Sequence, residues 1–204
     1  MTLVLQNLGT FVVYALIAVF VQNAVFTRGF GVSRLTKLVT DSATDSLIFC
    51  ALLTLIQILS APMGYYLNQW LSAPEHWYRD YIGPLGYVLC ALVAYGLVLL
   101  VIFLLPLANK RELMAVLPLA TLSCAVLGPM LITSSQHYTF AQTIGFAVGS
   151  GLGYGLAVIM LSEGQRKMNN RKVPATFKGL PINLIYIGIL ALAIFGLTGH
   201  MVSY

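Results

Sequence analysis

An all-α integral membrane protein is the fold class that the sequence predicts, and its composition and the spacing of its apolar runs predict it. Of the 204 residues, 59% are hydrophobic and only 8% are charged, and the mean hydropathy is +0.87. Soluble domains carry about 25% charged residues. The apolar residues gather in six runs with short connections, so the chain leaves no room for a soluble catalytic or nucleotide-binding domain.

Six transmembrane helices are predicted, because each run is near the ~20 residues needed to cross a hydrocarbon core. The runs cover residues 3–26, 46–67, 84–106, 113–133, 141–161 and 180–203. The first run is too long for a cleaved signal peptide and lacks a basic start. We therefore expect a single transmembrane domain over residues 1–204.

Lys and Arg are distributed unequally among the connections. The first, third and fifth connections carry ten, which are Arg28, Arg34, Lys37, Lys110, Arg111, Arg166, Lys167, Arg171, Lys172 and Lys178. The second and fourth carry only Arg79. Because basic connections stay in the cytoplasm, both termini are predicted to be extracytoplasmic. The net charge of +5 reflects this asymmetry and predicts attraction to the lipid bilayer, and it is no evidence for nucleic-acid binding.

An interruption is predicted near the middle of the fourth run, in the segment Thr121-Leu-Ser-Cys-Ala-Val-Leu-Gly-Pro129. Pro129 removes a backbone donor, and Gly128 tolerates unusual backbone angles. In lipid, a broken helix survives only where protein or a cavity covers the freed backbone groups, and membrane proteins build sites there. Cys124, just before the predicted break, is therefore a candidate site residue. Alternatively, Cys124 is a small buried residue and Pro129 makes a simple kink.

A short internal repeat extends this prediction to the first run. Gln22-Asn-Ala-Val25 resembles Ser123-Cys-Ala-Val126 in the fourth run, and glycines follow both segments. The two runs are three spans apart, so the halves of the chain have opposite orientation. The prediction is two inverted three-helix repeats, about residues 1–108 and 109–204, with helices 1 and 4 broken. The residues assigned to the midplane breaks are Asn23, Gly29, Gly31, Ser123, Gly128 and Pro129.

Glycine spacing in the fifth run predicts close helix packing. Gly145, Gly149 and Gly153 form two overlapping G-x-x-x-G steps, which let helix backbones approach closely. The partner helix belongs either to this chain or to another subunit.

Polar side chains inside the runs are few, and among them are the amides Gln22, Asn23, Gln57 and Asn183. We expect these amides to form hydrogen bonds between helices. No Asp, Glu, Lys or Arg lies within a predicted span, which argues against a self-contained carboxylate-driven transporter.

The motifs together resemble the six-span membrane subunits of the Rnf and Nqr electron-transport complexes, and in particular the Rnf A and Nqr E subunits. The matching segments are VQNAV at 21–25, GVSR at 31–34, SCAVLG at 123–128, HYTFAQ at 137–142 and VPATFKG at 173–179. The resemblance implies a place in the prokaryotic inner membrane, within an ion-translocating electron-transport complex. It also implies a partner, a homologous membrane subunit of opposite topology, and other subunits of the complex.

The resemblance further implies a [2Fe–2S] cluster between the two homologous subunits, with two cysteines from each. Cys124 matches one of these ligands, although Ser123 replaces the family's asparagine before it. The second family cysteine follows the first span, and here residues 26–34 contain none. Cys50 and Cys90 match no family motif, so we expect them to serve in packing.

Two functions remain open from the sequence. The chain is either a membrane subunit that helps to pass electrons and ions, or a family offshoot without the cluster that serves as a scaffold or a small-solute permease. A cluster held by four thiolates needs more ligands than Cys124 supplies. In both cases no catalytic residue is expected in this chain.

Overall fold

The computed structural model describes residues 2–40, 43–71, 79–104, 110–168 and 173–198. Within these ranges the chain forms helices and no strand, which confirms the predicted all-helical class. The helices are α1 (Thr2–Leu16), α2 (Val32–Thr40), α3 (Ala43–Leu71), α4 (Arg79–Leu104), α5 (Lys110–Thr121), α6 (Cys124–Ser135), α7 (Phe140–Met168) and α8 (Leu180–Thr198). A π-helical turn over Ile17–Val21 extends α1, and a 3₁₀ turn over Ala175–Phe177 precedes α8.

The described helices make the chain an integral membrane protein by length and composition. Four helical segments are long and apolar enough to cross a bilayer, and these are Ser46–Leu71, Ile82–Leu104, Phe140–Met168 and Leu180–Thr198. The pair of α5 and α6 makes a fifth candidate, bent by 42° at its break.

The remaining predicted span is shorter than its apolar run. Leu5–Val21 forms a short apolar helix, and the backbone from 22 to 31 is not helical. The predicted boundary between the two halves, at 108–109, lies outside the described residues. Residues 199–203 of the last predicted span also lie outside them.

α3 and α7 form the centre of the chain and run antiparallel. Each has 29 residues, and Gln57 and Tyr154 are their respective central residues. Thr54 of α3 packs against Gly151 of α7, whereas Cys50, earlier in α3, faces Gly155, later in α7. The other helices pack around this pair. The central residues of α3 and α7 therefore lie about halfway along the helical bundle.

The glycine stripe of α7 lies against α1 of the same chain. A Cβ added at Gly145 would lie 2.5 Å from the carbonyl oxygen of Phe11, and one at Gly149 would overlap the carbonyl oxygen of Ala15. Rising residue numbers in α1 meet rising numbers in α7, so the two helices are parallel. The sequence left open whether these glycines pack against a helix of this chain or of another subunit, and the structure shows that the partner is α1 of this chain.

Gly149→Ala is expected to lower the free energy of unfolding by about 1–3 kcal/mol, as overpacking does elsewhere. The added Cβ meets backbone of α1, which cannot move aside as a flexible side chain can. Gly155→Ala is the matched control on the same helix, because the nearest heavy atom lies 4.0 Å from its added Cβ. Thermal unfolding in detergent measures both, and equal midpoints for Gly149→Ala and the unchanged protein would contradict the packing role.

Candidate functional site

Asn23 holds the first helix break together. Its side chain is fully buried where the chain leaves the π-helical turn. The Nδ2 group donates to the carbonyl oxygens of Val19 at 2.8 Å and Gly153 at 3.1 Å. The Oδ1 atom accepts from the backbone N–H groups of Val25 at 2.9 Å and Phe26 at 3.3 Å. One amide therefore satisfies four backbone groups and ties the break to α7.

Ser123 closes the second break in a similar way. The α5 helix ends at Thr121, and Ser123 has an extended backbone and is the N-cap of α6. Its Oγ accepts from the N–H of Ala125 at 3.2 Å, which satisfies one of the free donors at a helix start. Asn23 likewise accepts from the N–H two residues further on. The hydrogen bonds therefore match Asn23 with Ser123, one position away from the Asn23–Cys124 match of the sequence repeat.

The second break falls before Cys124, rather than after it at Gly128 and Pro129. Both of these predicted break residues lie within α6. Pro129 has no N–H, so the carbonyl of Ala125 loses its usual helical partner. Gln57 of α3 replaces that partner, because its Nε2 donates to the Ala125 oxygen at 2.6 Å. The helix continues through the proline because a neighbouring helix satisfies the freed group.

The two breaks lie against each other at the middle of α3 and α7. The Phe30 ring occupies the space that a side chain on Gly128 would need. Gly31 has φ +73°, and an added Cβ would lie 2.9 Å from Tyr154 Cε2 and 3.3 Å from Ala125 Cβ. The Tyr154 hydroxyl donates to the Gly31 carbonyl at 3.3 Å. The structure thus brings Gly31 next to the start of α6 and Phe30 next to Gly128, so the two breaks adjoin, and Gly29 beside them is exposed with nothing within 4 Å of an added Cβ.

Tyr154 is the residue of this site that the sequence does not reveal. It is fully buried, and its ring packs at 5.9 Å, between centroids, from that of Phe49. An aromatic residue in an apolar run is most often a core residue. Its only sequence signal is its place among the glycines of α7, which let the broken first span approach.

Cys124 is exposed on the outside of the chain, as the first residue of α6. Gly128, one turn further on, contacts Phe30, so Cys124 shares a helix face with the first break. Thr27, Arg28 and Gly29 of that break are also exposed. These exposed residues flank the contact between Phe30 and Gly128, and we call them the break face: Thr27, Arg28, Gly29, Leu122 and Cys124.

Arg28 lies within the first break rather than in the connection that follows the span. Gly31 of the same loop contacts the central residue of α7, and Arg28 itself lies within electrostatic range of Tyr138 on the α6–α7 connection. Arg34, in the first turn of α2, stacks 5.5 Å from the centroid of the Phe49 ring. The sequence predicts both charges in the first connection, and the structure shows Arg28 in the non-helical segment before α2 and Arg34 within α2.

The described residues do not fit an iron–sulfur cluster held by this chain alone. In the ranges that the structure covers, no three His, Cys, Asp or Glu side chains come together as metal ligands. Cys50 and Cys90 are half-buried on α3 and α4, and Cys124 supplies one thiol at the break face. Four thiolates normally hold such a cluster.

Asn23→Ala is expected to lower the free energy of unfolding by at least about 2 kcal/mol, because it leaves several buried backbone groups without partners. Asn7→Ala is the matched control, since Asn7 lies with an exposed side chain on α1, the helix that leads to the first break. Thermal unfolding in detergent compares the two variants. A loss no larger for Asn23→Ala than for Asn7→Ala would contradict the role of Asn23.

The sequence matches known membrane proteins over nearly its whole length. The family described as "Rnf-Nqr subunit, membrane protein" matches residues 11–201. The A subunit of the ion-translocating oxidoreductase complex of Colwellia psychrerythraea is 30% identical over 89% of this chain and 92% of that protein. The protein of the same name from Syntrophotalea carbinolica is 29% identical, over 89% and 93%. The A subunit of the Na(+)-translocating ferredoxin:NAD(+) oxidoreductase complex of Acetobacterium woodii is 28% identical, also over 89% and 93%. The chain therefore belongs to the Rnf-Nqr family of membrane subunits.

Proposed function

We propose that the chain is a membrane subunit of an Rnf-like ion-translocating oxidoreductase complex. The observation that carries the proposal is the pair of adjoining helix breaks, with the break face beside them. The chain that contains them belongs to the Rnf-Nqr family. Relatives that match 89% of the chain are named as the A subunits of such complexes. Broken helices that meet at mid-depth are the places where membrane proteins build sites for ions and cofactors.

The proposed architecture has six spans in two inverted repeats. The chain order supports it, because two short helices precede two longer ones in α1–α4 and again in α5–α8. In this scheme α1 and α2 are the halves of the first span, and α5 and α6 are the halves of the fourth. Packing supports the same division, since α1 lies on α7, and α5 and α6 lie on α3. Each broken span thus packs against a long helix of the other half.

The break face is the proposed contact with a homologous subunit of opposite topology. Exposed non-helical backbone and the charge of Arg28 are costly in lipid, so a protein partner that covers them stabilises the assembly. The glycine stripe is covered by α1 and is not available to a second subunit, so we assign the contact to the break face.

Cys124 is the one residue that we propose for any cluster shared with the partner. Because the break face supplies a single thiol, the remaining ligands of a [2Fe–2S] cluster would come from other chains. The lone thiol also favours a second candidate function, a cluster-free scaffold or permeation subunit of the same complex.

The proposed location is the prokaryotic inner membrane, with both termini extracytoplasmic. In this scheme Arg28, Arg34 and Lys37 belong to the first span, yet seven basic residues remain in the third and fifth connections. They are Lys110, Arg111, Arg166, Lys167, Arg171, Lys172 and Lys178. The second and fourth connections still carry only Arg79, so the direction of the bias is unchanged.

Cys124 is expected to react with a maleimide in the chain purified alone and to be protected in the intact complex, because the partner covers the break face. The Cys124→Ser variant identifies which label belongs to this thiol. Lys167→Cys is the control, since residue 167 lies in the exposed last turn of α7, 13 positions beyond the central Tyr154, and is expected to react in both preparations. Equal labelling of Cys124 in both preparations would contradict the proposed contact.

Iron and acid-labile sulfide in the same purified complex distinguish the two candidate functions. A stoichiometric cluster that is lost in Cys124→Ser, with its paramagnetic signal after reduction, supports electron transfer through this chain. A complex that assembles with its partner but contains no iron at this interface supports the scaffold or permeation role.

Reporter fusions at Tyr204 are expected to show an extracytoplasmic C-terminus. Alkaline phosphatase, which is active only outside the cytoplasm, should be active there, and a cytoplasm-dependent fluorescent reporter should be dark. A second pair of fusions after Lys110 should give the opposite result. Activity of the cytoplasmic reporter at Tyr204 would contradict the proposed orientation.

A further inference from the structure

We propose that a single file of water molecules runs from the surface at the α6–α7 connection to Gln57 at the helix breaks. We call the side chains that line it the polar file, and they are Tyr87, Ser134, Asn68, Thr133, Thr143 and Gln57. The proposal rests on the proposed function only for the side of the membrane on which the file opens.

The file begins at an open cavity of about 360 Å³ between α4 and α6. Tyr87, Ser134 and His137 line this vestibule. The Tyr87 hydroxyl donates to Ser134 Oγ, and the Ser134 hydroxyl donates to Asn68 Oδ1 at 2.9 Å. These two hydrogen bonds lead from the vestibule toward α3.

Two small cavities continue the path, and each has about 10 Å³ of space open to the centre of a water molecule. The first adjoins Asn68 and Ser134, so it shares Ser134 with the vestibule. The second adjoins Gln57, and both share Met130, Thr133 and Thr143. A buried water needs about 10–15 Å³ of such space and two to four polar partners, so each cavity suits one water molecule.

Gln57 is the innermost residue of the polar file. The side chain is 2% exposed, and its Oε1 has no hydrogen-bond partner within the protein. The Nε2 group is already used by the Ala125 carbonyl at 2.6 Å and by Ser150 Oγ at 3.4 Å. A buried carbonyl oxygen without a partner is costly, and a water molecule in the adjoining cavity would satisfy it.

The second cavity presents acceptor oxygens rather than donors. The Thr133 hydroxyl donates to the carbonyl of Met130, and the Thr143 hydroxyl donates to that of Thr139, both at 3.0 Å. Their lone pairs therefore join the Oε1 atom of Gln57 as acceptors for whatever occupies the cavity. The remaining residues around the cavity are apolar, so these oxygens are the polar groups that a water molecule or a small cation would meet, and an anion would meet no free donor among these described residues.

The test uses silver ions, which are small cations that react with thiols, on closed membrane vesicles containing the intact complex. Ala61 lines the second cavity and is 4% exposed, whereas Ile58 lies less than one turn away on α3 and is 36% exposed to lipid. In Ala61→Cys and Ile58→Cys proteins, thiols that escape silver are counted afterwards by maleimide labelling under denaturing conditions. The unchanged protein gives the count for the three native cysteines.

We expect the thiol at position 61 to react at least about tenfold faster than that at 58, because a cation reaches position 58 only through hydrocarbon. Gly64→Ala should slow the reaction at 61 by about tenfold, because its Cβ would lie 2.8 Å from Met130 Cε and push it into the first cavity. Gly96→Ala is the control, since nothing lies within 4 Å of its added Cβ.

Gln136→Cys reports the side on which the vestibule opens. The thiol at 61 should react from whichever side reaches residue 136, so an error in the proposed orientation moves both thiols together. Equal rates at 61 and 58 would overturn the polar file. So would a rate at 61 that Gly64→Ala leaves unchanged in a complex that assembles normally.

Discussion

The need to satisfy freed backbone groups inside the bilayer governs the centre of this protein. Two helices stop beside the middle of α3 and α7, where side chains of this protein replace their lost hydrogen bonds. Asn23 supplies partners to four backbone groups at the first break, and Ser123 caps the helix after the second. Gln57 takes the carbonyl that Pro129 leaves free. Each of these buried polar side chains forms a hydrogen bond with a freed backbone group, so the interruptions are stable parts of the fold.

Close helix packing is the second requirement, and glycine provides it. The amide of Asn23 reaches the Gly153 carbonyl only because α1 and α7 touch backbone to backbone along Gly145 and Gly149. Gly128 and Gly31 do the same where the breaks meet, since the Phe30 and Tyr154 rings take the space of the missing side chains. The hydrogen bonds of the amides therefore depend on the close packing that the glycines allow. Without the close approach, the amides would lie too far from the backbone groups that they satisfy.

The sequence predicted the all-helical membrane class, the glycine packing and the neighbourhood of both breaks, because apolar runs and glycine spacing are local signals. It placed the second break on the wrong side of Cys124, since a proline ordinarily ends a helix and the compensating Gln57 lies 68 positions away in sequence. It also missed α2 as a helix against the core, because Arg34 and Lys37 make that segment look like a connection. Tyr154 and the acceptor lining near Thr143 depend on contacts between distant segments, which no local pattern encodes.

The support for the breaks comes from this chain and from no metal ligand. Asn23, Ser123 and Gln57 would hold both interruptions in place whether or not Cys124 binds iron. A family member can thus lose a cluster ligand without losing the fold, because the stability of the breaks and the chemistry at the break face depend on different side chains. In the proposed architecture Arg28 needs a protein partner to cover its charge in lipid, and that need does not depend on a cluster.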